Sequence, residues 1–271
     1  MLNKKISALP YVIWSIIFVL VPLVLIIVFA FTTPDSGFTL SNLTKISKYT
    51  NIFIKSINLA VIATAICFLI GYPLAFIISR AKEISQRNLL LLIMVPMWMN
   101  FLLRTYGWMT LLENEGILNK LFALVGLGPF QMINTQGAVV LGMVYNYLPF
   151  MVLPLHSIMV KIDKSVIEAA QDLGANWYQI LFKILLPLST PGIVSGITMV
   201  LVPSISTFII SRMLGGGSNM LIGDLIESQF LGSTYNPYIG SAISLILMLV
   251  MFIFMGIINS LDDDEMEGML V

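Results

Sequence analysis

The chain has 271 residues, 58% of them hydrophobic and only 10% charged. Soluble domains carry about 25% charged residues, so this composition excludes an ordinary water-soluble fold and makes lipid the main solvent. Its 14 basic and 14 acidic side chains cancel, which argues against a nucleic-acid partner, since that requires a basic patch.

Six stretches meet the requirement of about 20 mostly apolar residues for crossing a bilayer. The first, 11–31, follows Lys4 and Lys5. It is longer than the ~7–15 apolar residues of a secretory leader and ends at no small-residue cleavage site, so it reads as an uncleaved membrane helix. The others are 57–79, 89–112, 138–160, 192–211 and 238–261. The chain thus reads as a single domain, 1–271, all-α and polytopic, with six transmembrane helices. Cys67, the one cysteine, lies in the second span and cannot form an intrachain disulfide. Arg104 is the one charged residue inside a span; placed near its end, it can snorkel to the interface, and the alternative is a cavity-facing role. Residues 121–130 are too short to span and fit an interfacial or re-entrant piece. Pro73, Pro96, Pro149, Pro154 and Pro203 kink spans and free carbonyls that must face protein or a wet cavity.

Basic residues set the orientation. Lys4, Lys5, Arg80, Lys82, Arg87, Lys161, Lys164 and Lys183 fall on one side, and Lys45, Lys48, Lys55, Arg104, Lys120 and Arg212 on the other. The denser cluster in the shortest loop predicts cytoplasmic N- and C-termini, with the acidic tail, 262–267, also cytoplasmic.

The loop 161–191, KIDKSVIEAAQDLGANWYQILFKILLPLSTP, carries the strongest signal. Asp163 is placed to cap a short helix over 164–173, and Glu168 and Asp172, four apart, share a face. Ala169 and Ala170 make that surface shallow enough for another protein to approach. Gly174 can take the left-handed turn that ends the helix. A second helix over 176–186 has an apolar face suited to the membrane surface, with Pro187 ending it. The pair reads as a rigid helix–turn–helix, or alternatively as an amphipathic connector lying on the bilayer.

The spacing Glu168-Ala169-Ala170, three residues, Gly174, nine residues, Ile184, one residue, Leu186-Pro187 resembles the EAA loop of ABC-importer permeases. The resemblance implies the type I (MetI-like) permease fold. It implies that Glu168 meets an ATPase subunit electrostatically, that Ala169 and Ala170 pack in its cleft, and that Gly174 makes the turn. VPMWMNFLLRTYGWMTLLENEGILN, VYNYLPFMVLPL and MLGGGSNMLIGDLIESQF are similar to the permeases of spermidine/putrescine importers. That likeness implies a second permease (PotC-like), two ATPase subunits (PotA-like) that bind the ATP and Mg, and an extracytoplasmic polyamine-binding protein (PotD-like).

No G-x4-G-K-[ST] loop is present, so ATP must be used by a separate chain, and no H-E-x-x-H or G-x-S-x-G supports an enzyme. No cofactor or metal site is expected in this chain. His156, the only histidine, reads as a packing residue or, alternatively, a proton relay. The predicted spans hold no Asp or Glu, which argues against a proton- or sodium-coupled carrier. A polycation would then need aromatic faces and carbonyl dipoles. Candidates along its path are Trp98, Asn100, Tyr106, Trp108, Tyr145, Asn146, Tyr147 and Phe208, each with helix packing as the alternative reading. Asp224 and Glu227 are expected to share an outward face near the entrance, or a merely solvated one. An importer of another solute and a stand-alone carrier are the rival functions.

Overall fold

The computed structural model describes residues 9–33, 37–232 and 234–268; Lys4, Lys5 and Asp35 lie outside them. Helix dominates because backbone N–H and C=O groups in lipid must be satisfied within the segment. Among the described residues, four helices are long and apolar enough to cross a bilayer: Leu9–Ala30, Ser41–Arg80, Gln136–Met159 and Pro237–Ile258. Two bent pairs bring the number to six if each is one span.

The chain divides into two compact units. One takes the described residues up to Phe53 together with Leu225–Phe252. Within it, α1 (Leu9–Ala30) is apolar throughout and its span window is unburied by this chain. A two-stranded antiparallel hairpin follows, β1 (Thr32–Thr33) and β2 (Gly37–Phe38), pairing Thr32 with Phe38. The buried Asn42 of α2 (Ser41–Lys45) donates to the carbonyls of Ala30 and Thr32 and so holds this end of α1.

The second unit takes Ile54–Asp224 and the described residues from Ile253 on. Its helices are most of α3 (Thr50–Arg80), then α4 (Glu83–Met94), α5 (Phe101–Leu112), α6 (Ile117–Leu124) and α7 (Gln136–Met159). They continue with α8 (Lys164–Asp172), α9 (Trp177–Leu188), α10 (Thr190–Ser206) and α11 (Ile209–Gly215). Like α3, α12 (Ile222–Leu231) and α13 (Pro237–Gly268) have residues in both units. Among the candidate spans α7 is the most buried, with 67% of its apolar window inside. Met151 on α7 is fully buried between two glycines: a Cβ on Gly71 of α3 would come within 2.9 Å of its Cγ, and one on Gly196 of α10 within 2.7 Å of its Sδ. Small residues let these backbones approach, as in other membrane helix pairs.

Four sequence expectations are corrected. The third span is not one rod: after a 3-10 turn at Val95–Trp98 the chain bends by 89°. The cause is Asn100, which leaves the helical region (ψ 131) and accepts from Leu102 N–H at 2.8 Å, an N-cap that begins a new helix. Arg104 therefore stands one turn into α5. The short piece anticipated at 121–130 begins earlier, as α6. The fifth span breaks at Thr207, whose backbone is extended (ψ 141), so its last residues belong to α11. Pro187 does not end its helix. A widened π-turn, Leu181–Leu185, bonds Leu186 N–H to the Leu181 carbonyl and makes room for the proline ring, and α9 runs on to Leu188.

Candidate functional site

The loop after α7 is built with its helix ends satisfied. Asp163 Oδ1 accepts from Ser165 N–H at 3.0 Å, which caps α8 and holds the exposed Asp163 carboxyl below the usual carboxylate range. Gly174 ends the helix in the left-handed region at φ +81, where a side chain would be strained. Its N–H reaches the Gln171 carbonyl (2.9 Å) and Ala175 N–H the Ala170 carbonyl (3.0 Å), which together form a Schellman motif. Asn176 and Gln179 then close a capping box, both bonds 2.9 Å, at the start of α9.

The inner face of this module is its own small core: Ile162, Ala170, Ile180 and Leu185, with Ile184 and Phe76 of α3 packed against it. Ala170 is only 8% exposed. It is therefore not available to a partner's cleft, contrary to the expectation from the motif, because its methyl faces Ile180 and Leu185 rather than outward. The outward face presents Val166, Ala169 and Leu173, spaced three and four apart, with Glu168 and Asp172 exposed beside them. Leu173 is 89% exposed. Leu186 and Pro187 are half-buried, Leu186 against the main core.

Three residues of α3 spaced four apart, and so on one face, hold the module. Arg80 Nη1 donates to the Ile162 carbonyl at 3.0 Å, with its guanidinium over the Phe76 ring. The Phe76 and Trp177 rings lie 5.5 Å apart. Tyr72 and Ser189 share a buried hydrogen bond of 3.0 Å at the 72° bend between α9 and α10. The sequence reading missed this stripe, although Tyr72, Phe76 and Arg80 at four-residue spacing were visible in the second span.

About 25 Å along α10 from that bend, given 1.5 Å per residue, the break at Thr207 opens a cavity of about 200 Å³. It is lined by Phe101, Tyr147, Pro203, Ser206, Thr207, Phe208 and Ile209. Tyr147 donates to the Pro203 carbonyl at 3.4 Å. Ending α10 here leaves last-turn carbonyls without intrahelical donors. Gly223 packs directly on those of Ser206 and Thr207, so close that any Cβ there would collide. Rings and a negative helix end around a small void suit a positively charged group.

Of the sequence candidates, Tyr147 and Phe208 line this cavity. Trp108 and Tyr145 pack edge-on against each other at 5.3 Å. Asn146 is buried and bonds within its own helix to the Gly142 carbonyl. Asn100 serves as the α5 cap, and Trp98 and Tyr106 are exposed. Asp224 does not share an outward face with Glu227: it is 6% exposed, and its Oδ2 accepts Leu221 N–H at 2.9 Å, while Glu227 is half-buried. Phe101, Ser206 and Thr207 were missed. Pro203 followed by Ser-Ile-Ser-Thr inside an apolar run was the available sign of the break.

A helical membrane unit with this loop and broken fifth span defines a transporter subunit. The chain belongs to the family of binding-protein-dependent transport system inner membrane components, whose profile matches residues 68–265. It is an ABC-importer permease subunit, not an enzyme. Among its relatives, the spermidine/putrescine transport system permease protein PotB of Haemophilus influenzae is 41% identical over 248 residues, 88% of this chain and 86% of the relative. PotB of Escherichia coli is 39% identical over 88% of this chain and 90% of the relative. In fold, the chain is similar to a crystallised bacterial ABC transporter involved in import of the acidic polysaccharide alginate, with TM-score 0.77 at 17% identity over 96% of this chain and 95% of that one. A second likeness is to the MetNI methionine ABC transporter in an inward-facing conformation, with TM-score 0.59 at 17% identity over 80% of this chain and 95% of that one.

Proposed function

We propose that this chain is one of two permease subunits of a polyamine importer, passing spermidine or putrescine into the cytoplasm with energy from separate ATPase subunits. The similarity to PotB over 88% of the chain carries the substrate assignment. The chemistry of the broken-span cavity agrees with it, because an ammonium group there meets the rings of Phe101, Tyr147 and Phe208 and no fixed anion is required.

In this reading α8 and α9 face the cytoplasm, as do both chain termini. The Val166–Ala169–Leu173 stripe enters an apolar cleft of a PotA-like ATPase, with Glu168 and Asp172 meeting basic groups at its rim. ATP and Mg are held by that partner. A PotC-like permease completes the pathway, and a PotD-like binding protein delivers substrate on the far side. When the ATPases close, the module moves as one body because its helix ends are internally satisfied. Tyr72, Phe76 and Arg80 pass that displacement to α3, and the Ser189 bend passes it to α10, whose far end walls the cavity.

The reconstituted complex tests the substrate class through its ATP turnover. With loaded binding protein, spermidine and putrescine should stimulate hydrolysis several-fold, while choline and anionic oligosaccharides should not. Stimulation by the latter alone would overturn the polyamine assignment.

A further inference from the structure

Arg104 is a cation placed beside a cavity suited to cations. It stands three residues, one helical turn, after Phe101, and its guanidinium carbon lies 5.7 Å from the centre of that ring. Phe101 and Tyr147 both line the cavity. Arg104 is half-buried, and its Nε is buried with no hydrogen-bond acceptor among the described residues. A half-buried guanidinium that rests on a ring face and leaves its buried Nε without an acceptor is a costly arrangement that packing alone does not explain.

We infer that Arg104 is a tethered competitor for the cavity, occupying the Phe101 face when substrate is absent and opposing the ammonium group that replaces it. This rests on the cavity being the cation station of the proposed function. Cation–π attraction does not distinguish a side-chain guanidinium from a substrate ammonium, so each weakens the hold of the other. Two like charges within a few ångströms in a medium less polar than water repel strongly. The ring faces give the polyamine a place to pause, and Arg104 keeps that pause short. A station without the arginine would hold its cation too tightly to release it at the pace of ATP turnover. Arg104 is thus a specificity-determining residue that sets affinity for positive charge, one turn removed from the groups that contact it.

The test uses the full complex in lipid nanodiscs without binding protein, comparing wild type, Arg104→Gln and Arg104→Lys. Equilibrium binding of labelled spermidine should tighten at least tenfold in Arg104→Gln and stay near wild type in Arg104→Lys. In proteoliposomes Arg104→Gln should lower the maximal uptake rate without raising KM. Unchanged or weaker spermidine binding in Arg104→Gln overturns the inference. n-Butylammonium serves as a second probe. If it gains affinity in Arg104→Gln while spermidine binds no variant, the polyamine reading fails and the role of Arg104 stands; if neither cation binds any variant, the role of Arg104 fails. Should Arg104→Gln not assemble, Phe101→Leu replaces it: spermidine binding must fall several-fold, and unchanged binding refutes the competition for that ring.

Discussion

The Tyr72 hydroxyl lies 3.0 Å from the Ser189 hydroxyl, both buried, so the last third of α3 is bonded to the bend between α9 and α10. Ser189 also donates to the Leu185 carbonyl at 2.6 Å. Removing the tyrosine hydroxyl therefore leaves Ser189 satisfied, and Tyr72→Phe should cost only about 0.5–1.5 kcal/mol of stability. Its larger effect should be on coupling. The ratio of substrate moved to ATP hydrolysed, measured in proteoliposomes, should fall several-fold with assembly intact. An unchanged ratio would remove Tyr72 from the path of transmission.

The exposure of α8 separates docking from folding. Leu173→Asp and Glu168→Lys change exposed side chains, so thermal stability of the permease pair should hold within about 0.5 kcal/mol. Burying a leucine contributes roughly 1.5–3 kcal/mol, so Leu173→Asp should weaken ATPase retention at least tenfold, read by co-purification. Ala170→Leu should behave oppositely. It overfills the module's own core, costing about 1–3 kcal/mol, and should lower the melting temperature before any docking defect appears.

The cap at Asp163 gives a pH dependence with a defined sign. Its carboxyl titrates below the usual carboxylate range because Ser165 N–H donates to the ionised form. A depressed folded-state value means the cap's contribution is fully present above the unfolded-state value and is lost as pH falls through the folded-state value. Amides at the start of α8 should stay protected from hydrogen exchange at neutral and mildly acidic pH, and lose protection only below the normal carboxylate range. Asp163→Asn, which caps without titrating, should flatten that profile.

Tyr147 offers a graded test of the cavity. Tyr147→Phe keeps the ring and removes the bond to the Pro203 carbonyl, so polyamine uptake should drop by no more than about tenfold, a net hydrogen bond being about 0.5–1.5 kcal/mol. Tyr147→Leu removes the ring, which attracts a cation by about 0.5–2 kcal/mol, and should reduce uptake several-fold further. Equal loss in both variants would show that the hydroxyl, not the ring, is what the substrate meets.

How much was legible follows the physics of each element. The Asp163 cap and the Gly174 turn were readable because both are local: an acid before a periodic run, and a glycine where φ must be positive. The positions of the first, second, fourth and sixth spans followed from apolar length. The breaks at Asn100 and Thr207 were not read, because hydropathy averages over a window and a capping side chain inside an apolar run barely changes it. Ala170 was assigned to a partner because a motif names residues without their helical face, and only the packing of Ile162, Ile180 and Leu185 decides which alanine points inward. Asp224 and Glu227, three apart, read as one outward face, whereas the backbone N–H of Leu221 claims the Asp224 carboxylate.

The most direct measurement is ATP-dependent uptake of labelled spermidine into proteoliposomes that hold this permease with its second permease, ATPase and binding protein. Uptake is expected to require both ATP and the binding protein, and to collapse in Glu168→Lys while the isolated ATPase remains active. ATP turnover stimulated by the binding protein without movement of spermidine would contradict the substrate. Uptake that proceeds without ATP would contradict coupling through α8.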